Sequence, residues 1–227
     1  MKIQTCVSLL TGLLLAVLLS PAVADKQELP PINEDGLHLL EESNAAIVYV
    51  DPAASLTPYN KVMLLDSYVA FKKNWARDQR RTSIDRRGPT AREIEEIKQN
   101  LATEFRKVFV EQLTENGYEV VTEPADDVLL VRPAIINLDV NAPDTQQAGR
   151  SRTYVESAGE MTLYVELYDS VTGDIIAKAM DAQADRGFGG YYTWANSVTN
   201  RAAADRILKG WAQLLVGALD QARNPGS

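Results

Sequence analysis

The sequence predicts an α+β fold, a two-layer sandwich in which a four- to five-stranded, mixed but mostly antiparallel sheet carries two helices on one face. Three observations predict it. From Met161 the odd positions Met161, Leu163, Val165 and Leu167 are apolar, while Thr162, Tyr164, Glu166 and Tyr168 alternate with them, the pattern of a strand with one dry face. Val128, Leu130, Ala134, Ile136, Leu138 and Val140 give the preceding strand a similar parity. Between Thr90 and Gly117, Ile94, Ile97, Leu101, Phe105, Val108, Phe109 and Leu113 recur every three or four positions, which is the apolar stripe of a helix.

The chain begins with Lys2, an apolar run from Val7 to Leu19, then Ser20-Pro21 and Ala22-Val23-Ala24. This is the pattern of a secretory signal, residues 1–24, with cleavage expected between Ala24 and Asp25. The run is shorter than the ~18 residues of a spanning helix, so a soluble exported protein, periplasmic or secreted, is expected. Cys6, the only cysteine, lies inside this segment, so the mature chain is expected to hold no disulfide and no thiolate. Losing Lys2 leaves 22 basic against 31 acidic residues, a balance of −9 that disfavours nucleic acid as a partner. His38 is the only histidine, which excludes a histidine-based triad and a typical zinc site. No metal and no cofactor are expected.

Residues 25–44, with Pro30-Pro31, read as an extended, poorly ordered leader, followed by a single domain over 45–222 and a fraying tail over 223–227. Ala45 to Val50 reads as an edge strand and Lys61 to Phe71 as one continuous strand. Thr90-Ala91-Arg92-Glu93 is a capping box that opens the first helix, and Gly117 ends it as a left-handed cap. Tyr118 to Thr122 then returns as a short strand parallel to the one before the helix. Pro133 requires a bulge or an unpaired edge beside it. Asp169 to Asp174 is a hairpin turn, and the strand after it has mixed parity, which leaves its register open by one residue. A last helix runs from Ser197 or Thr199 to about Ala222, with Ile207, Leu208, Trp211, Leu214, Leu215 and Ala218 on its apolar side and Asp205 paired with Lys209.

Three stretches are candidates for contact. Lys72 to Gly88, read as a surface loop, holds seven basic and two acidic residues, +5 against about −14 for the rest of the mature chain. Arg77, Arg80, Arg81, Arg86 and Arg87 offer forked donors to carboxylate or phosphate, with Trp75 as an apolar anchor. Arg150 and Arg152 form a second small basic site in a polar loop. Tyr191, Tyr192 and Trp194, in a glycine-rich stretch, form either a plug over the sheet end or a stacking platform for sugar or peptide.

The stretches Arg132 to Asp144 and Ala148 to Asp174, with NSVTNRAAADRILKGWA near the end, resemble the bacterial family catalogued as domain of unknown function 3313 (DUF3313), over about Gly36 to Ala222. The resemblance implies a Gram-negative envelope protein, in a family often described as lipoproteins, with no assigned activity. This chain departs from that pattern in having no cysteine at its cleavage point. The order of elements is also similar to small envelope domains of lipoprotein activators of peptidoglycan synthases and to the amino-terminal domain of TolB, an analogy of fold alone.

These readings point first to a non-catalytic binding or scaffolding protein of the periplasm, whose partner is an envelope protein or an anionic envelope component. The alternatives are a carboxylate-dependent hydrolase of cell-wall or other glycans, using carboxylates such as Glu160, Glu166 and Asp139, and a periplasmic carrier of a small acidic ligand. No catalytic residue is assigned.

Overall fold

The structure, a computed structural model, describes residues 29–82, 87–140, 154–155, 159–185, 193–194 and 197–224. The class is α+β as expected, but the sheet is larger: eight strands and three helices are described. The strands are β1 (His38–Leu39), β2 (Ile47–Val50), β3 (Lys61–Leu64), β4 (Tyr68–Phe71), β5 (Glu119–Val120), β6 (Val128–Val140), β8 (Gly159–Asp169) and β9 (Ile175–Asp185). Their order is β1-β2-β9-β8-β6-β3-β5, with β4 also paired to β6. A separate ribbon pairs β7 (Tyr154–Val155) with β10 (Thr193–Trp194). The helices are α1 (Trp75–Thr82), α2 (Ala91–Glu115) and α3 (Ser197–Arg223).

The extra strands come from two corrections. The segment expected as one strand, Lys61 to Phe71, is broken at Leu65-Asp66-Ser67, and both halves run parallel to β6. Pro133 explains the break. Val131 accepts Leu65 N–H through its carbonyl, so alternation aims the Pro133 nitrogen at the same neighbouring strand, where it has no hydrogen to donate. The ladder lapses there and resumes at Tyr68↔Ala134. A bulge lies further on, between Ile136 and Asp139, where Asn137 adopts φ +53°.

The second correction concerns the leader. Residues 30–40 of the leader pack along the sheet rather than trailing from it. Asn33 Oδ1 accepts the backbone N–H groups of Asp35 and Leu37, Leu37 is buried, and Tyr49 donates its hydroxyl to the Pro30 carbonyl. β2 is consequently paired on both sides, to β1 and β9, and is not the edge.

The capping box forms as expected, with Thr90 accepting Glu93 N–H and Glu93 accepting Thr90 N–H, and Gly117 takes φ +83° after α2. β3 and β5 are parallel. Phe105, Val108, Phe109 and Leu113 of α2 meet Leu208, Trp211, Ala212, Val216 and Leu219 of α3 over Val62, Leu129, Val131 and Ile135 of the sheet. Each large side chain buried there contributes about 1.5–3 kcal/mol. The buried stripe of α3 includes Ala212, Val216 and Leu219, while Ala218 is exposed, so the helix sits rotated from the expected face. Its Asp205–Lys209 pair is present at 3.3 Å.

The hairpin register is now defined. Leu163↔Asp181, Val165↔Ala179 and Leu167↔Ala177 face the helices, and Tyr164↔Met180 and Glu166↔Lys178 face the rear. Gly173 takes φ +75° in the turn.

Candidate functional site

The basic stretch expected as a loop contains a helix, α1, and one residue explains why. Asn74 adopts φ +68°, which asparagine tolerates better than most residues, and its carbonyl accepts Arg77 N–H and Asp78 N–H to start the turn. Trp75 then turns inward, 3% exposed, stacked on Phe71 with ring centroids 4.0 Å apart. Its indole N–H donates to the Val140 carbonyl at 2.8 Å. Trp75 is therefore the internal anchor of α1, not a contact for a partner.

Anchoring one face of so short a helix leaves Arg77, Arg80 and Arg81 on its exposed side. The seven cations do not act alike. Lys72 bridges Asp139 and Glu160, 2.9 Å to each. Those two carboxylates stand directly opposite one another on β6 and β8, and the ammonium between them offsets a like-charge pair. Hydrogen bonds to Glu160 and Asp139 raise the Lys72 pKa above its ordinary range. Arg77 makes a 3.4 Å contact with its neighbour Asp78. Among the described residues Lys73, Arg80 and Arg81 have no ion-pair partner. Arg86, Arg150, Arg152, Tyr191 and Tyr192 lie outside the described residues, and of Trp194 the structure describes only its backbone place in β10, opposite Tyr154.

The rear of the sheet holds a polar cluster around Glu166, one of the three carboxylates named from the sequence. Glu166, 8% exposed, accepts the hydroxyls of Tyr164 at 2.8 Å and Tyr168 at 2.9 Å. Lys178 lies 3.4 Å away and Arg132 3.3 Å away, and Lys178 also holds Asp35 of the leader. Burial opposes the charge on Glu166, but the two hydroxyls, Lys178 and Arg132 outweigh it and lower its pKa. Burial followed by the bond to Glu166 raises the pKa of both tyrosines.

A glutamate held ionised in this way is a poor proton donor. Asp139 and Glu160 are tied to Lys72. Glu166 is thus shifted in the direction opposite to that which a glycan hydrolase requires of its acid. Among the described residues no group of three or more metal-ligating side chains could hold an ion.

The Glu166 cluster makes stability depend on pH. A carboxyl whose folded pKa lies below its unfolded value of about 4.3 stabilises the fold above that value and loses the contribution as pH falls through the folded pKa. Glu166→Gln is therefore expected to flatten the acid limb of a stability–pH curve measured by urea unfolding from pH 6 downward, with lower stability than the parent at neutral pH. Parallel curves would contradict the assigned ionisation.

A second buried carboxyl was missed. Asp181, 6% exposed on the helix side, accepts the Trp211 indole N–H at 2.8 Å, the Gln183 amide at 2.6 Å and the Ala46 backbone N–H at 3.0 Å. The available signal was register: the uncertain parity of the return strand left the face of Asp181 undetermined.

The family model described as "Protein of unknown function (DUF3313)" matches residues 34–215. No curated protein matches the chain. Among solved structures, a PelC dodecamer from Paraburkholderia phytofirmans is 12% identical, with 76% of this chain and 96% of that chain covered at a TM-score of 0.38. A DUF330 protein from Xanthomonas campestris is 12% identical over 74% of this chain and 87% of its own, with a TM-score of 0.41. A DUF4136 protein from Bacteroides thetaiotaomicron is 12% identical over 76% and 95%, with a TM-score of 0.37.

Proposed function

The chain belongs to the DUF3313 family, and from that premise we propose that it is an exported, non-catalytic binding protein of the periplasm that docks an anionic envelope component through α1. The observation that carries this reading is α1 itself: a helix pinned by a buried tryptophan, with Arg80 and Arg81 exposed and without an ion-pair partner among the described residues. Two guanidinium groups on consecutive residues of a rigid helix lose less freedom on binding than two on a loop, and their planar forks suit carboxylate and phosphate oxygens. Against the acidic balance of the rest of the chain, the positive charge concentrated in this segment favours the approach of an anion to the helix. Export rests on the signal-like run ending at Ala24. Among the described residues no helix is long and apolar enough to cross a membrane.

Charge reversal tests the reading. The double variant Arg80→Glu/Arg81→Glu is expected to reduce recovery of the partner from envelope extracts by about tenfold, with the parent's binding weakening as salt rises. Recovery that is unchanged by the reversal, with the fold intact by circular dichroism, would remove α1 as the docking surface.

A further inference from the structure

A different surface, sharing no residue with α1, lies on the rear of the sheet. Val131 and Pro133 are buried toward the helices, so Arg132 and Ala134 face away from them. Tyr68 of β4 and Tyr164 of β8 stand on either side of Ala134. Two strand spacings place the tyrosine backbones about 10 Å apart, with only a methyl group on the strand between them. The arrangement is a slot: Ala134 is its floor, the two phenols are its walls, and Arg132 and Ile136, two residues to either side, are its ends. Tyr68 is 66% exposed and the Arg132 side chain 64% exposed, so one wall and one end reach solvent. The other wall is held in place, because Glu166 accepts the Tyr164 hydroxyl.

The charges on this face alternate from Asp35 to Lys178, Glu166 and Arg132. The series ends on a cation at its solvent side. Arg132 gives Glu166 one contact of 3.3 Å and also bonds the Tyr168 hydroxyl, and Glu166 has two hydroxyls and Lys178 besides, so the five-donor guanidinium keeps donors to spare. A ligand complementary to the slot has a six-membered ring, whose C–H faces pack on phenols at about 3.5–4 Å each, and a carboxylate at one side of that ring.

We propose that the slot binds an acidic saccharide unit, its pyranose ring between Tyr68 and Tyr164 and its carboxylate on Arg132. Neutral sugars lack the anion, and small carboxylates lack the ring.

Isothermal titration of the full chain with tetragalacturonate tests this, with cellotetraose as the neutral ring and acetate as the ringless anion. Saturable binding of tetragalacturonate is expected, with cellotetraose and acetate each at least about tenfold weaker. Arg132→Gln and Tyr68→Ala are each expected to weaken binding by about tenfold. Tyr68→Ala is the variant that keeps the test open if Arg132→Gln disturbs the Glu166 cluster, since Tyr68 is exposed. No saturation into the millimolar range, equal binding of either control, or affinity unchanged in Tyr68→Ala would each overturn the assignment.

Discussion

Asp181→Ala is expected to lower unfolding stability by about 2–4 kcal/mol, chiefly because a buried donor loses its acceptor. The residue is 6% exposed and ties three parts of the chain together: Trp211 of α3, Gln183 of β9, and Ala46 at the entry to β2. Truncation strands the buried indole N–H, which costs about 1–3 kcal/mol, while Gln183 and Ala46 are exposed and lose only the smaller net value of their bonds. Asp181→Asn retains acceptor oxygen, so its loss is expected to be smaller. A double-mutant cycle with Trp211→Phe isolates the indole bond, and the two losses are expected to be non-additive because they share that partner. Urea unfolding curves read all three numbers. A loss below about 1 kcal/mol for Asp181→Ala would show that the site is wetter than its burial indicates.

The second large effect is Trp75→Ala. Trp75 has a buried indole, a stack on Phe71 and a bond to the Val140 carbonyl, and deletion of a buried tryptophan side chain costs about 3–5 kcal/mol. Part of that loss falls locally, on α1. Eight residues are too few to hold a helix in water without tertiary support. Hydrogen exchange over residues 76–82 is therefore expected to accelerate, and recovery of the anionic partner to fall as far as in Arg80→Glu/Arg81→Glu, although no charge has changed. Trp75→Phe keeps an aromatic ring against Phe71 but loses the N–H bond and part of the indole's volume, so its loss is expected to be smaller than that of Trp75→Ala. Unaltered exchange over 76–82 in Trp75→Ala would mean that α1 is held by something other than this side chain.

The two experiments bear on different levels of the fold. Asp181 joins the entry to β2, β9 and α3, so its loss is felt by the whole cooperative unit. Trp75 joins one helix to the ends of β4 and β6, so its loss exposes how far binding depends on a preformed surface.

Much of the architecture was legible because it is written in local periodicity. The alternation at Met161 to Leu167 identified the inward face of β8, and Met161, Leu163 and Leu167 are indeed buried. The stripe from Leu101 to Leu113 identified the buried side of α2, and the capping box at Thr90 marked where it begins. These features need only neighbours within one turn or one strand, so a sequence window contains their cause. The basic stretch was also legible as a concentration of charge, but not as a helix, because α1 depends on a tryptophan finding Phe71 and the carbonyl of Val140, 65 residues later.

By itself, then, the chain determined its class, the inward faces of β8 and α2, the extent of its family and the sign of its most basic segment, whereas β6 buries Leu129, Val131 and Ile135 in place of the expected Leu130, Ala134 and Ile136. Only the tertiary structure decided where the strand after Lys61 breaks, that the leader packs on the sheet, that Trp75 points inward, and that Glu166 and Asp181 lie on opposite faces in separate hydrogen-bonded clusters. The physical reason is common to all four. Each depends on which residue of a distant strand stands opposite: Pro133 beside β3, Lys178 near Asp35, Val140 above Trp75, Leu163 across from Asp181. Register between strands is a long-range property, and a shift of one residue exchanges the two faces, so local pattern constrains it only weakly where parity is mixed.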